Sequence, residues 1–149
     1  MSDIERYIHA QIPITAAMGV SVLHADTDRV RLSAPLEPNI NHRETVFGGS
    51  AAAVATLAAW TLVLLRLRAA ELSTRLVISQ NSMTYDRPIT ADFQALAVAK
   101  DLKSWDRFTA GIRRKGRGRV TATSGLWLDD ERVAGFEGRF VAIALPDNN

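Results

Sequence analysis

The sequence predicts an α+β fold in which an antiparallel β-sheet encloses one long central helix. The segment from Thr45 to Leu65 has no charged side chain, and its first half is mostly alanine. About seven other segments alternate apolar and polar residues or are rich in β-branched residues, as half-buried strands are. A sheet of this size must bury one face, and the uncharged helix is its only large apolar partner. We therefore expect the sheet to curl around the helix.

The composition indicates how many domains the chain forms and which kinds of site it excludes. The 149 residues suit a single domain over 1–149, and 47% of them are hydrophobic, which is enough for a packed core. The absence of cysteine excludes a disulfide framework, a thiol nucleophile and a zinc–thiolate site. A net charge of +2 is too small to indicate nucleic-acid binding by itself. Only residues 146–149 have the composition of a disordered end.

The N-terminal third is predicted to form a helix followed by a β-hairpin. A helix is expected over residues 3–11, where isoleucines recur at helical spacing, and Pro13 ends it. Strands are predicted at 20–25 and 29–35, joined by a turn at 26–28. The first residues mix acids and bases without an apolar run, so we expect no secretory signal and a cytoplasmic protein.

The central helix is predicted from about Gly49 to about Leu72, after a loop at 36–47. Its uncharged stretch is long enough to span a bilayer, but alanine contributes little transfer free energy to membrane insertion. A helix buried in protein fits better than a membrane span, because small side chains let strands approach it on several sides. The bulkier residues, Trp60, Leu62, Leu64 and Leu65, would fill the wider end.

Strand patterns dominate the rest of the chain. Strands are predicted at 75–85, 93–99, 107–113, 120–128 and 133–145, with short links between them. The stretch RRKGRGR at 113–119 then lies between two strands. It is interpreted as a hairpin turn with Gly116 or Gly118 at positive φ.

Two stretches in this order resemble the hotdog-fold thioesterase superfamily, and in particular its YiiD C-terminal-type thioesterase domain. They are NHRETVFGGS…TLAAW and SQNSMTYDRPITADFQA at 79–95, and the resemblance covers about residues 15–145. It implies a hotdog fold and a homodimer whose sheets join edge to edge, with pairing of dimers into tetramers left open. It also implies a substrate that is an acyl thioester of coenzyme A or acyl carrier protein. No cofactor is expected beyond the coenzyme A moiety of the substrate.

Gly48 and Gly49 are candidates for an oxyanion site. The first turn of a helix has backbone N–H groups without partners and a positive dipole end. Glycine allows a thioester carbonyl to come close, and one such donor can contribute about 3–4 kcal/mol in a preorganised site. The alternative is that the glycines only turn the chain into a crowded helix.

Asn41, seven residues before Gly48, is the second candidate. The resemblance implies that an Asn here orients water or the thioester carbonyl, whereas an Asn that caps a loop turn is the alternative. His42 could serve as a base, because imidazole is the side chain suited to proton transfer near neutral pH, but a loop histidine beside an arginine fits an exposed side chain better.

The helix departs from the pattern of related enzymes at one position. The resemblance places a catalytic carboxylate eight residues after the first glycine, where this sequence has Thr56, and no acid lies between Glu44 and Glu71. A histidine that often precedes the glycines is replaced by Phe47. Either Thr56 and Asn41 position water, or the protein binds acyl thioesters without cleaving them. Thr56 could also simply bond to its own helix backbone.

The basic stretch supplies candidate binding residues. Arg113, Arg114, Lys115, Arg117 and Arg119 could hold the phosphates of coenzyme A or an acidic carrier protein. A solvated turn that prevents edge pairing of strands explains the same charges equally well. A nucleic-acid role ranks below both, and no nucleic-acid or membrane partner is expected.

Overall fold

Four α-helices and six strands form the part of the chain that the computed structural model describes, residues 1–146. The helices are α1 (Asp3–Gln11), α2 (Ile14–Ala17), α3 (Gly48–Ala69) and α4 (Leu102–Lys115). The strands are β1 (Ser21–Ala25), β2 (Arg29–Ala34), β3 (Thr74–Tyr85), β4 (Phe93–Val98), β5 (Arg117–Leu128) and β6 (Glu131–Ala144). Residues 147–149, within the end predicted to be disordered, lie outside the described residues.

The strands form one antiparallel sheet in the order β1-β2-β4-β5-β6-β3. Its inner face carries the alternating apolar residues that the sequence predicts, such as Val30, Leu32 and Ala34 on β2, all buried. The two edges differ: β1 has 5 residues, whereas β3 has 12. The long edge of β3 pairs with β6 on one side only.

The sheet wraps around α3, which confirms the predicted hotdog architecture. Alanines at the sheet contacts are completely buried, among them Ala55, Ala58 and Ala59. The hydroxyl of Ser124 on β5 donates to the carbonyl of Ala55 at 2.7 Å, which ties sheet to helix inside the core. A stripe through Gly49, Ala53, Thr56 and Trp60 is exposed or half-buried, and the last two residues of the helix, Arg68 and Ala69, are also exposed.

The apolar composition of α3 is explained by this burial. By length and composition the helix could cross a membrane, with a mean hydropathy of 1.7 over its most apolar window. However, 56% of that window is buried inside the fold, and enclosed core helices commonly meet the same criteria.

The strand predicted at 107–113 is wrong, because this segment belongs to α4. Phe108 and Ile112 fit an alternating pattern, but with Trp105 they also repeat at helical spacing, and all three are buried on one helix face. Four strands therefore follow α3, rather than about five. The short helix α2 after Pro13 was also not predicted.

The stretch RRKGRGR is likewise not a hairpin turn. Arg113, Arg114 and Lys115 form the last turn of α4, where basic side chains complement the negative end of the helix dipole. Gly116 has the predicted positive φ, at +79°, and ends the helix as a left-handed cap. Gly118 does not have a positive φ and lies in β5.

The packing of α4 on β5 can be tested at Gly118. A Cβ atom at this glycine would lie 2.6 Å from the carbonyl oxygen of Phe108, so backbone would have to move. We expect Gly118→Ala to lower the free energy of unfolding by about 1–3 kcal/mol, as overpacking does. The control Thr121→Val, at an exposed position of the same strand, should stay within about 0.5 kcal/mol. Urea denaturation measures both; equal small effects would contradict this packing.

Candidate functional site

The loop before α3 is organised by Asn41. Its side-chain oxygen accepts hydrogen bonds from the N–H groups of Arg43 at 2.8 Å and Thr45 at 3.2 Å. Its side-chain amide donates to the hydroxyl of Thr45 at 2.9 Å. Both ends of the Asn41 side chain are therefore engaged within the loop, as in the turn-capping alternative. One amide hydrogen of Asn41 remains for a ligand or water.

The same loop is anchored to the rest of the fold by its backbone and by Asn39. The N–H of Phe47 donates to the carbonyl of Asn39 at 2.7 Å, and the N–H of Val46 donates to the carbonyl of Ile89 at 2.8 Å. The buried side chain of Asn39 donates to the carbonyls of Met18 and Pro35. These bonds fix the position at which the chain enters α3.

The start of α3 carries unpaired backbone amides. Phe47 precedes the helix and provides no side-chain cap, and the first helical hydrogen bond runs from the N–H of Ala51 to the carbonyl of Phe47. Within residues 1–146, the N–H groups of Gly48, Gly49 and Ser50 have no hydrogen-bond acceptor. Gly49 is exposed and Gly48 is half-buried, so a ligand can reach this positive end of the helix.

Two aromatic side chains flank these amides. The ring of Phe47, which is 58% exposed, lies against the backbone of Gly49. Tyr85, at the end of β3, donates its hydroxyl hydrogen to the carbonyl of Gly48 at 3.1 Å. From the sequence alone, Tyr85 is part of a stretch that resembles related strands but has no predicted role, and Phe47 is notable only as a replacement for histidine.

The structure also shows what the two glycines do. Neither has a positive φ, so a sharp turn does not require them. A Cβ atom at Gly48 would make an ordinary contact with Tyr85 at 3.8 Å, whereas one at Gly49 would lie 2.5 Å from the Phe47 ring. Gly49 therefore makes room for Phe47, and its amide stays accessible beside the ring.

Thr56 lies on the same face of α3 as Gly49, because seven residues make two helical turns. It is half-buried, and its hydroxyl donates to the carbonyl of Ala52 at 2.7 Å. This bond uses the only hydroxyl hydrogen but leaves the oxygen able to accept one from water. Exposed Ala53 lies between the two residues on this face.

The predicted anion-binding residues lie at the other end of α3. Arg113 donates to the carbonyl of Ala70 at 3.1 Å, just after the helix ends. Arg114 is exposed, whereas Lys115 and Arg117 line a shallow surface pocket of about 340 Å³. Since a helix of 22 residues is about 33 Å long, one chain does not bring these residues to Gly48.

Among residues 1–146, neither a resolved pKa shift nor a cluster of metal-binding side chains adds a candidate site residue near α3. The pKa of Asp26 is lowered to about 2, because its carboxylate accepts hydrogen bonds from the N–H groups of Arg29 and Asp28 and from His24. This group belongs to the β1–β2 turn. Across residues 1–146, no cluster of three His, Asp or Glu side chains could hold a metal ion.

Comparison with known proteins identifies similar sequences and folds. The sequence model of a family described as "Putative thioesterase (yiiD_Cterm)" matches residues 1–144. A Chlorobaculum tepidum protein of unknown function is 26% identical, with a TM-score of 0.90, over 95% of this chain and 93% of its own. A Shewanella oneidensis protein described as a putative thioesterase is 25% identical, with a TM-score of 0.84, over 96% and 95%. A Haemophilus influenzae thioesterase shares the fold, with 12% identity and a TM-score of 0.76 over 100% and 96%.

Proposed function

Since the chain belongs to this thioesterase family, we propose that it hydrolyses an acyl thioester of coenzyme A or of acyl carrier protein. Water would add to the thioester carbonyl carbon, the carbon–sulfur bond would break, and a carboxylic acid and a thiol would leave. The observation that carries this proposal is the uncapped, accessible start of α3 between Phe47 and Tyr85.

The amides at the start of α3 are proposed to hold the oxygen that becomes negative in the transition state. The N–H groups of Gly48, Gly49 and Ser50 point out of the first turn, where the helix dipole is also positive. Fixed donors of this kind stabilise charge as it develops and need no rearrangement during the reaction. The bond from Tyr85 to the Gly48 carbonyl would keep this turn in place.

Thr56 and Asn41 are proposed to position the attacking water. The Thr56 hydroxyl donates to Ala52, so its oxygen would accept a hydrogen bond from water on the open face of α3. Asn41 would contribute its remaining amide hydrogen and the rigidity of the loop. Neither side chain is a strong base at neutral pH, so slow turnover is expected.

We further propose that the chain works as a homodimer in the cytoplasm, without a nucleic-acid or membrane partner. The edge of β3 is 12 residues long and carries exposed Val77 and Tyr85, which is unusual for an unprotected edge strand. A two-fold axis would pair β3 antiparallel with its copy and make one continuous sheet. Such a dimer would bring the partner's strands beside the open face of α3; two dimers could then form a tetramer.

A second candidate function is a domain that binds acyl thioesters without cleaving them. It is favoured by the lack of any acid between Glu44 and Glu71 and by the bonds that engage Asn41 and Thr56. Calorimetry with an acyl-CoA that shows tight binding, together with no release of thiol, would support this function over hydrolysis.

The role of Thr56 can be tested against a matched threonine on the same helix. Thr61 makes the same type of bond, to the Leu57 carbonyl at 2.7 Å, but it is completely buried. We expect Thr56→Val to lower kcat by about 10²-fold, the lower end of the range for positioned proton-transfer groups, while Thr56→Ser keeps most of it. Thr61→Val should keep kcat in the enzyme that remains folded.

Release of free thiol from a panel of acyl-CoA substrates of different chain lengths measures these rates. Turnover above the uncatalysed background is expected for at least one chain length. No turnover with any coenzyme A or carrier-protein thioester would contradict the proposed reaction. Equal rates for Thr56→Val and the unchanged protein would remove Thr56 from the mechanism.

The dimer is tested by sedimentation equilibrium. We expect a mass twice that of the 16.3 kDa chain. Ser79 is the bulge residue of β3 that has no register partner on β6, although its hydroxyl donates to the carbonyl of Arg139 at 3.2 Å. Ser79→Pro removes one backbone N–H from β3 at a position that the β3–β6 register does not use. This variant should become monomeric while its circular dichroism stays the same. A monomeric unchanged protein would contradict the proposal.

A further inference from the structure

A cleft opens in the sheet where β4 and β5 separate. The two strands pair from Gln94↔Trp127 to Ala97↔Ser124, whereas β5 continues to pair with β6 as far as Arg117. From the end of β4 the chain enters α4, which packs Phe108 against Gly118 on β5. The space that remains, here named the β4–β5 cleft, has a volume of about 480 Å³. Volumes of this size are typical of small-molecule sites.

The β4–β5 cleft is lined by more basic than acidic side chains. Lys100, Arg107 and Arg119 line it, and Asp101 is its only acidic lining residue. The ion pairs present among residues 1–146 involve other side chains, so these three cations face one cleft without a paired carboxylate. Like charges gathered in this way repel one another unless an anion lies between them.

Other donors converge on the same cleft. α4 begins at Leu102, and no side chain caps it, so the positive end of its dipole lies beside Asp101 and Ser104 in the cleft wall. The hydroxyls of Thr121 and Thr123 lie on the β5 side. Cations, hydroxyls and a helix start together form the usual environment of phosphate groups in proteins.

The apolar residues of the lining lie mostly behind these donors. Trp105 and Phe108 pack edge to face, with ring centroids 6.1 Å apart, but each is only 2% exposed. Val98, which is 37% exposed, offers a small apolar contact beside the cations. The lining therefore fits a ligand that carries several phosphate groups.

We propose that the β4–β5 cleft binds the phosphate-bearing nucleotide end of coenzyme A. The choice of ligand rests on the proposed thioesterase function. Coenzyme A carries a diphosphate and a 3′-phosphate on an adenosine, whereas the prosthetic group of a carrier protein carries one phosphodiester. The three unpaired cations match the several phosphates of coenzyme A better than the single phosphodiester of a carrier protein. Coenzyme A is therefore the expected carrier of the acyl group.

The position of the cleft requires two copies of the chain for one ligand. Arg66, near the end of α3, stacks over Trp105 at 5.0 Å, so the cleft is near the end of α3 opposite to Gly48. Antiparallel pairing of two β3 edges places the start of α3 in one copy near the cleft end of the other. The nucleotide would then bind one protomer while the thioester lies at the helix start of its partner.

Calorimetry with adenosine 3′,5′-bisphosphate, which lacks the pantetheine arm, tests the cleft without any hydrolysis. We expect it to bind the full-length protein, to bind more weakly at higher salt, and to bind much more tightly than adenosine. Arg107→Gln and Arg119→Gln should each weaken binding roughly tenfold, as expected for the loss of one charge-assisted hydrogen bond. The control Arg31→Gln removes the same charge from an exposed site outside the cleft and should bind normally.

The outcomes separate this inference from the proposed reaction. No binding of adenosine 3′,5′-bisphosphate, or equal affinity in all three variants, overturns the inference even if acyl-CoA is hydrolysed. Tighter binding of phosphopantetheine, or binding of inorganic phosphate alone, overturns the nucleotide assignment. Binding that depends on Arg107 and Arg119 supports the inference even if no thioester is cleaved. Circular dichroism of each variant excludes unfolding as the cause of a loss.

Discussion

Burial of α3 against the sheet holds the fold together. Each fully buried Leu or Val contributes about 1.5–3 kcal/mol relative to an exposed one, and Val54, Leu62 and Val63 are all completely buried. Strands can approach closely because alanine occupies many of the contacts, such as Ala55 and Ala58. The unpaired amides of the first helical turn cannot share this apolar environment, so they lie where the sheet leaves the helix open.

Because α3 must be buried, most of the fold could be predicted from the sequence. An uncharged run of mostly small residues between polar segments favours a helix covered by protein, and α3 starts within one residue of the predicted position, at Gly48. The strands with clear alternation, such as β2, were predicted for the same reason. The pattern failed at α4 because Phe108 and Ile112 suit a strand or a helix equally well over a short segment. The contact of Trp105 with Arg66, which lies 39 residues earlier in the chain, helps hold α4 against α3. No local sequence pattern shows this contact.

The candidate site was predictable only where one helix determines the geometry. Gly49 and Thr56 share a face because of helical spacing alone. Tyr85 reaches Gly48 across 37 residues of sequence, through the β3–β6 register, so its place at the site had to come from the fold. The basic stretch at 113–119 shows the opposite case. Its residues are neighbours in sequence, but they have different surroundings in the fold. Arg113 binds the end of α3, whereas Arg119 lines the β4–β5 cleft.

A crystal structure with a ketone analogue of an acyl-CoA, in which a methylene group replaces the sulfur, would show whether the start of α3 holds the thioester carbonyl. This analogue keeps the carbonyl oxygen and cannot be hydrolysed. We expect this oxygen to lie about 2.7–3.2 Å from the backbone nitrogen of Gly48, Gly49 or Ser50, the range of an N–H···O hydrogen bond. A carbonyl bound away from the start of α3, with those amides covered by protein, would contradict this expectation.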